Sequence, residues 1–296
     1  MDSVPDEVPE LWQEAHSRPP LFPTPTANPW RMFWWLLVAS ALCLALLDHR
    51  LSGFIKSHRL RGDAADLLHA AEHFGTPFGA VLILVTIWLT HPELRQRLGR
   101  VLWVPVIAGM SANIMKLMIS RRRPNAFEFE QSILASFEGL FHLGAGGSRL
   151  QGFPSAHTAF AFGFAVMLGS MWPVARKWFL CLAALVAAQR VGSCAHFPSD
   201  VCAGAALGWL IGWYSTGNGW LARMFTRMED WWFPPRLPAP LGASMGPTSP
   251  PRWSEGRPLT PSPGLITGSV ASRQAAIVPV HATLPLSHES HDPRGS

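Results

Sequence analysis

Three short segments hold the residues able to do chemistry: Lys116-x6-Arg123-Pro124, Pro154-Ser155-Ala156-His157 and Arg190-x5-His196-x3-Asp200. They supply three cations, two imidazoles and one carboxylate, the set needed to grip a phosphoryl group, attack it and protonate what leaves. Each segment borders a long apolar run, where a cation is expensive to keep without a task. The residues therefore speak to reaction type and leave the substrate open.

Read one at a time, each segment has a plain alternative. Lys116 closes the apolar stretch from Val101 to Ile119, and Pro124 disfavours helical geometry at Arg123, so a helix is expected to stop near there. On one helix Lys116 and Arg123 would lie about 10 Å apart along the axis and reach one anion. With Arg121 and Arg122 they could equally form a basic helix end resting among headgroups. Ser155 is a good N-cap, and free backbone N–H groups near Ala156 at a helix start bind anions without a charged side chain. His157 would project from that first turn, or be an incidental interfacial histidine. Asp200, four residues after His196, can accept its ring N–H and leave the other nitrogen nucleophilic. An inert surface His–Asp pair has the same spacing.

Six apolar segments must position these groups: about Trp30–Leu47, Phe74–Thr90, Leu98–Ile119, Thr158–Val174, Trp178–Gln189 and Val201–Tyr214. A spanning helix needs about 20 residues, and about 17 is a practical minimum. The fifth run reaches that only if Arg176 and Lys177 snorkel at one end and Arg190 begins a polar site at the other. The expected fold is all-α, a six-transmembrane-helix bundle with the active site at one membrane face. Six spans bring the relevant ends of helices three to six to one side, and this joint placement turns three ambiguous segments into one site. Residues 1–29 are acidic and Pro-rich and expected to be loosely ordered, 30–220 form the membrane domain, and 221–296 read as a basic stretch running into a Pro-rich disordered tail. The long connection from Ser120 to Gly152 is expected to be a functional lid or disordered.

Composition agrees. Of 296 residues only 15% are charged, against about 25% in soluble domains, and mean hydropathy is +0.16. The net charge of +5 comes without basic–aromatic interleaving, which argues against a nucleic-acid partner. Cys43, Cys181, Cys194 and Cys202 show neither CxxC nor ligand-like spacing. The acidic start (Asp2, Asp6, Glu7, Glu10, Glu14) is unlike a cleavable signal peptide. His69-Ala70-Ala71-Glu72-His73 matches the HxxEH zinc-protease pattern, but no companion ligand motif accompanies it, and an interfacial helix lining the site entrance is the preferred reading. Arg95, Arg97 and Arg100, then Arg176 and Lys177, then Arg223, Arg227 and Arg236 fall on one side of a six-span chain. The positive-inside rule makes that side cytoplasmic, with both termini, and the site outer or periplasmic. Arg50, Lys56, Arg59 and Arg61 argue the other way.

Taken together the segments resemble the type 2 phosphatidic acid phosphatase superfamily, whose pattern is KxxxxxxRP, PSGH and SRxxxxxHxxxD. Lys116, Arg123 and Pro124 match the first motif, Pro154, Ser155 and His157 the second, and Arg190, His196 and Asp200 the third. Ala156 replaces the glycine of the second motif and Gln189 the serine of the third. The resemblance implies a metal- and cofactor-independent phosphatase. In it His196, oriented by Asp200, attacks phosphorus and forms a phosphohistidine. His157 protonates the leaving oxygen and then activates water. Lys116, Arg123, Arg190 and the amides near Ser155 and Ala156 hold the equatorial oxygens. The substrate implied is a phosphorylated membrane lipid such as phosphatidic acid, phosphatidylglycerophosphate, a polyprenyl pyrophosphate or a lipid A phosphate, in a bacterial inner membrane. Phosphotransfer to another lipid through the same intermediate, and a silent lipid-binding protein keeping the fold, are the alternatives.

Overall fold

A computed structural model describes residues 28–141, 147–217 and 219–232. The expected loose segment 1–29, save its last two residues, and the tail beyond Trp232 lie outside the described residues. The described residues are mostly helical. Helix α1 (Pro29–Leu46) starts where the Asn28 side chain accepts from Trp30 N at 3.0 Å and Pro29 presets the first turn. Helices α2 (Asp48–Ser57) and α3 (Asp63–Glu72) follow, and α3 carries most of the segment His69–His73 expected as an interfacial helix. Helix α4 (Pro77–Thr90) is capped by Thr76, and α5 (Leu98–Met118) is continuous with the turn Pro92–Arg97. After a segment containing strands β1 (Ile119–Arg121) and β2 (Phe137–Leu140) come α6 (Ala156–Met171), α7 (Arg176–Gly192), α8 (Pro198–Tyr214) and α9 (Trp220–Trp232).

Six of these helices coincide with the six apolar segments, and they differ in length. Among the described residues, α1 and the continuous run Pro92–Met118 are long and apolar enough to cross a membrane; Asp63–Gly75 and Pro77–Thr90 make a third only if their 72° bend is one broken span. The bend is local chemistry: Thr76 is extended ahead of Pro77, and α4 restarts with Thr76 Oγ1 accepting from Gly79 N. Helix α9 lies beyond the expected end of the membrane domain at 220, and Arg97 and Arg100 tie it to the bundle through Glu229.

Two expectations change. The connection after Ser120 is not all-α: β1 and β2 pair antiparallel, Ile119 opposite Leu140. Helix α5 ends at Met118, so Arg123 is not on the helix with Lys116, and their expected axial offset does not apply. The chain leaves the helix there because Arg121 finds buried partners on α8 and at the start of α2.

Helix α6 is the centre of the bundle, buried from Thr158 to Ser170 except at Phe162. Helix α8 lies against it through Gly204 and Gly208, where a Cβ would stand 2.4 Å from the Ser155 carbonyl oxygen and 2.2 Å from that of Ala159. Backbone-to-backbone approach of this kind needs glycine. On the other side α1 buries only Pro29 and Ser40, while Trp34 and Trp35 stay exposed. A largely apolar exterior, with Trp34, Trp35, Trp88 and Trp103 exposed, over a hydrophobic core that also buries Asp48, Arg121 and Asp200 fits a lipid solvent.

Candidate active site

The close α6–α8 contact brings the second and third motifs together. Ser155 caps α6, its Oγ accepting from Thr158 N and Oγ1 at 3.4 and 3.0 Å, and Ser155 N donates to the Asp200 carbonyl at 3.0 Å. His157 sits in the first turn of α6 and borders a cavity of about 200 Å³ lined also by Gly109, Met110, Asn113 and Phe160. Arg190 lies in the last turn of α7, and its carbonyl accepts from the Ala195 and His196 amides at 3.2 and 3.1 Å. That turn, with Cys194 at φ 54°, fixes His196 relative to Arg190.

His196 is 2% exposed. Its Nδ1 lies 2.6 Å from the Gly152 carbonyl oxygen, and Asp200 Oδ2 is 3.8 Å away. A carbonyl oxygen only accepts, so Nδ1 carries the proton and Nε2 keeps its lone pair. The expected direct acceptance by Asp200 is therefore corrected: Gly152 fixes the tautomer. The Asp200 carboxylate instead accepts from Phe197 N at 2.8 Å and from Arg121. Burial holds the His196 imidazole below its ordinary pKa, with the Asp200 charge pulling the other way.

Arg121 enters the sequence reading only as part of the alternative, a basic helix end. It is wholly buried, stacked between Phe137 and Phe197, and donates to Asp48 Oδ2 at 2.8 Å, Ser199 Oγ at 2.7 Å, Ser136 Oγ at 3.1 Å and Asp200 Oδ1. Asp48 in turn accepts from Ser199 N at 2.9 Å. The main chain of Arg121 also accepts from Gly152 N at 2.9 Å. One residue thus holds both neighbours of His196: Gly152 through its backbone and Asp200 through its side chain. Asp48 carried a signal in the sequence, a carboxylate closing an apolar run, and Gly152 carried none.

The three cations converge from separate elements. Lys116 is 8% exposed in the last turn of α5. Arg123, held by Arg149 O through its amide, has a buried Nε with no hydrogen-bond partner among the described residues. Burial and the nearby Arg190 charge push the Arg123 guanidinium below its ordinary value, as cations do when they share a site. An anion is the ligand that satisfies such a cluster.

Glu72, part of the HxxEH match, comes into this site. Its Oε1 is 2.5 Å from Arg190 Nη2 and 4.0 Å from His157 Nε2. His69 stays outside the cradle, its Nδ1 3.4 Å from Gln189 Nε2 and 3.8 Å from the other carboxylate oxygen of Glu72, Oε2. Among the described residues no three His, Cys, Asp or Glu side chains converge as a metal needs.

Residues 97–223 match the PAP2 superfamily. Lipid A 1-phosphatases are similar to part of the chain. The protein of that name from Rhizobium etli is 34% identical over 110 residues, 37% of this chain and 44% of its own length. That from Rhizobium johnstonii is 34% identical over 111 residues, covering 37% and 41%. The chain thus spans less than half the length of these relatives. The crystal structure of a transmembrane PAP2-type phosphatidylglycerolphosphate phosphatase from Bacillus subtilis aligns with a TM-score of 0.42 at 19% identity, over 68% of this chain and 96% of that one. Asp48 and Glu72 lie outside the matched stretch.

Proposed function

We propose, on the premise that residues 97–223 belong to the PAP2 superfamily, that this integral membrane protein is a phosphatase removing phosphate from a membrane lipid through a phosphohistidine on His196. The observation that carries the reading is the His196 ring, locked by Gly152 O at 2.6 Å with Nε2 left nucleophilic, in a site that also gathers three cations, one with an orphaned buried donor.

In the first step Nε2 of His196 attacks phosphorus in line, the P–N bond forms and the bond to the leaving oxygen breaks. His157 gives that oxygen a proton. In the second step His157 takes a proton from water, whose oxygen attacks phosphorus and releases His196. Lys116, Arg123, Arg190 and the amides at the start of α6 hold the equatorial oxygens, where charge placement does most of the work. Asp200 acts at 3.8 Å as a fixed negative charge on the imidazolium side of the reaction.

In this reading the helices cross the bilayer six times, the short ones at a locally thinned edge. The contacts of Arg97 and Arg100 with Glu229 support placing those basic segments together at the cytoplasmic face. The apolar groove beside His157 suits a lipid that arrives sideways with its phosphate at the site's depth. Among phosphorylated lipids, a lipid A phosphate is the first to test, because two partial relatives bear that activity in their names. Purified protein in detergent is given lipid A, phosphatidylglycerophosphate, phosphatidic acid and a polyprenyl pyrophosphate with chelator present, and phosphate release is followed. Turnover of at least one, an acid-labile phosphoenzyme, and loss of both in His196→Ala are expected. No turnover on any, or equal turnover by His196→Ala, refutes the reading.

A further inference from the structure

We propose that Glu72 is a built-in competitor for the phosphate cradle, a carboxylate that occupies Arg190 in the resting site and that substrate or product phosphate must displace. The inference rests on the cradle described above and goes beyond it, since Glu72 lies outside the family's motifs and outside the matched stretch.

The placement of Glu72 is enforced by packing. The turn His73–Gly75 that follows it is pressed on the start of α6: a Cβ on Gly75 would stand 3.0 Å from the His157 carbonyl oxygen and 2.6 Å from Val186. Glu72 is thereby delivered from the end of α3 to the rim of the site, with its side chain 25% exposed. There Oε1 meets Arg190 Nη2 at 2.5 Å, while Arg190 Nε donates to Gln189 Oε1 at 2.5 Å. Two of the three Arg190 nitrogens are engaged by the protein, whereas the buried Nε of Arg123 has no partner.

A carboxylate oxygen offers a guanidinium the same acceptor as a phosphate oxygen. A phosphoryl group gripped by Lys116, Arg123 and Arg190 would bring like charge against Glu72, which must then release Arg190. Binding loses the Arg190–Glu72 pair and adds repulsion, so free phosphate is held loosely and leaves readily. While paired to Arg190, the same Oε1 also lies 4.0 Å from His157 Nε2, so the carboxylate borders both the cradle and the group that serves the leaving oxygen.

The test titrates inorganic phosphate and orthovanadate into the full chain in detergent, by calorimetry at fixed ionic strength. Wild type is compared with Glu72→Gln and Glu72→Asp. Glu72→Gln keeps the shape and removes the charge, and should bind both anions about 10-fold more tightly, worth roughly 1.4 kcal/mol. Glu72→Asp keeps the charge but withdraws it by one methylene, and should fall between. A purely structural Glu72 predicts the opposite sign, weaker binding as the rim loosens. Unchanged or weaker binding by Glu72→Gln, with wild type binding normally, overturns the role of Glu72 alone. Binding by neither protein overturns the phosphate cradle and this proposal with it.

Discussion

Replacing Arg121 by Met is the sharpest perturbation of the site's support, because the residue touches no substrate in the proposed reaction. Arg121 is 0% exposed and lies between two buried carboxylates, Asp48 and Asp200. Removing one partner from a buried ion pair leaves an uncompensated charge and costs about 3–5 kcal/mol. Domains are stable by roughly 5–15 kcal/mol, so a large share is lost, equivalent to a fall in Tm of about 10 °C. Unfolding can be read with a thiol-reactive dye, since Cys194 is free and buried. Activity should fall with stability corrected for, because Asp200 loses its anchor and Arg121 no longer aligns the segment carrying Gly152. The decisive arm is the pair with Asp48→Asn. In the native background that change breaks a buried pair and destabilises. Once Arg121 is Met it removes a stranded carboxylate, and should be neutral or stabilising. A double-mutant cycle that is additive to within about 0.5 kcal/mol, or an Arg121→Met protein as stable and active as the native one, refutes the account of Arg121 as the common support of Gly152 and Asp200.

Gly204→Ala places a methyl 2.4 Å from the Ser155 carbonyl oxygen, so α8 must back away from α6; a loss of about 1–3 kcal/mol and a drop in kcat exceeding that of a matched exposed-helix Gly→Ala are expected, and a kcat equal to wild type would contradict the packing. Because burial lowers the His196 pKa from 6.5, His196 stays neutral and nucleophilic to lower pH, and the acid limb of kcat/KM should fall below pH 6.5. The same sign applies to stability: the His196 contribution present above the unfolded value is lost as pH falls through the depressed one. An acid limb above pH 6.5 that persists in variants of other titratable groups counts against this assignment.

Much of the site was legible in the chain because its members carry their own signals. Cations and histidines bordering apolar runs, a Ser before a helix start and a Pro–x–Asp at another are local patterns, and the structure brings Lys116, Arg123, Ser155, Ala156, His157, Arg190, His196 and Asp200 to one region. The positions of six helices were readable from apolar runs for the same reason. Their ends were less so: α4 starts only after Thr76-Pro77, and α5 stops at Met118, short of Arg123.

Sequence by itself determined which groups are present, their order, and the apolar segments that carry them, since residue chemistry and helical period are properties of neighbours along the chain. Tertiary structure decided the partnerships. The His196–Gly152 contact joins residues 44 apart, Arg121 reaches Asp200 across 79 positions and Asp48 across 73. Such pairs exist only because glycine faces let α8 lie on α6 and because a buried guanidinium must find carboxylates wherever the fold presents them. The same closure turned Glu72 from a stray match to a zinc pattern into the anion facing Arg190.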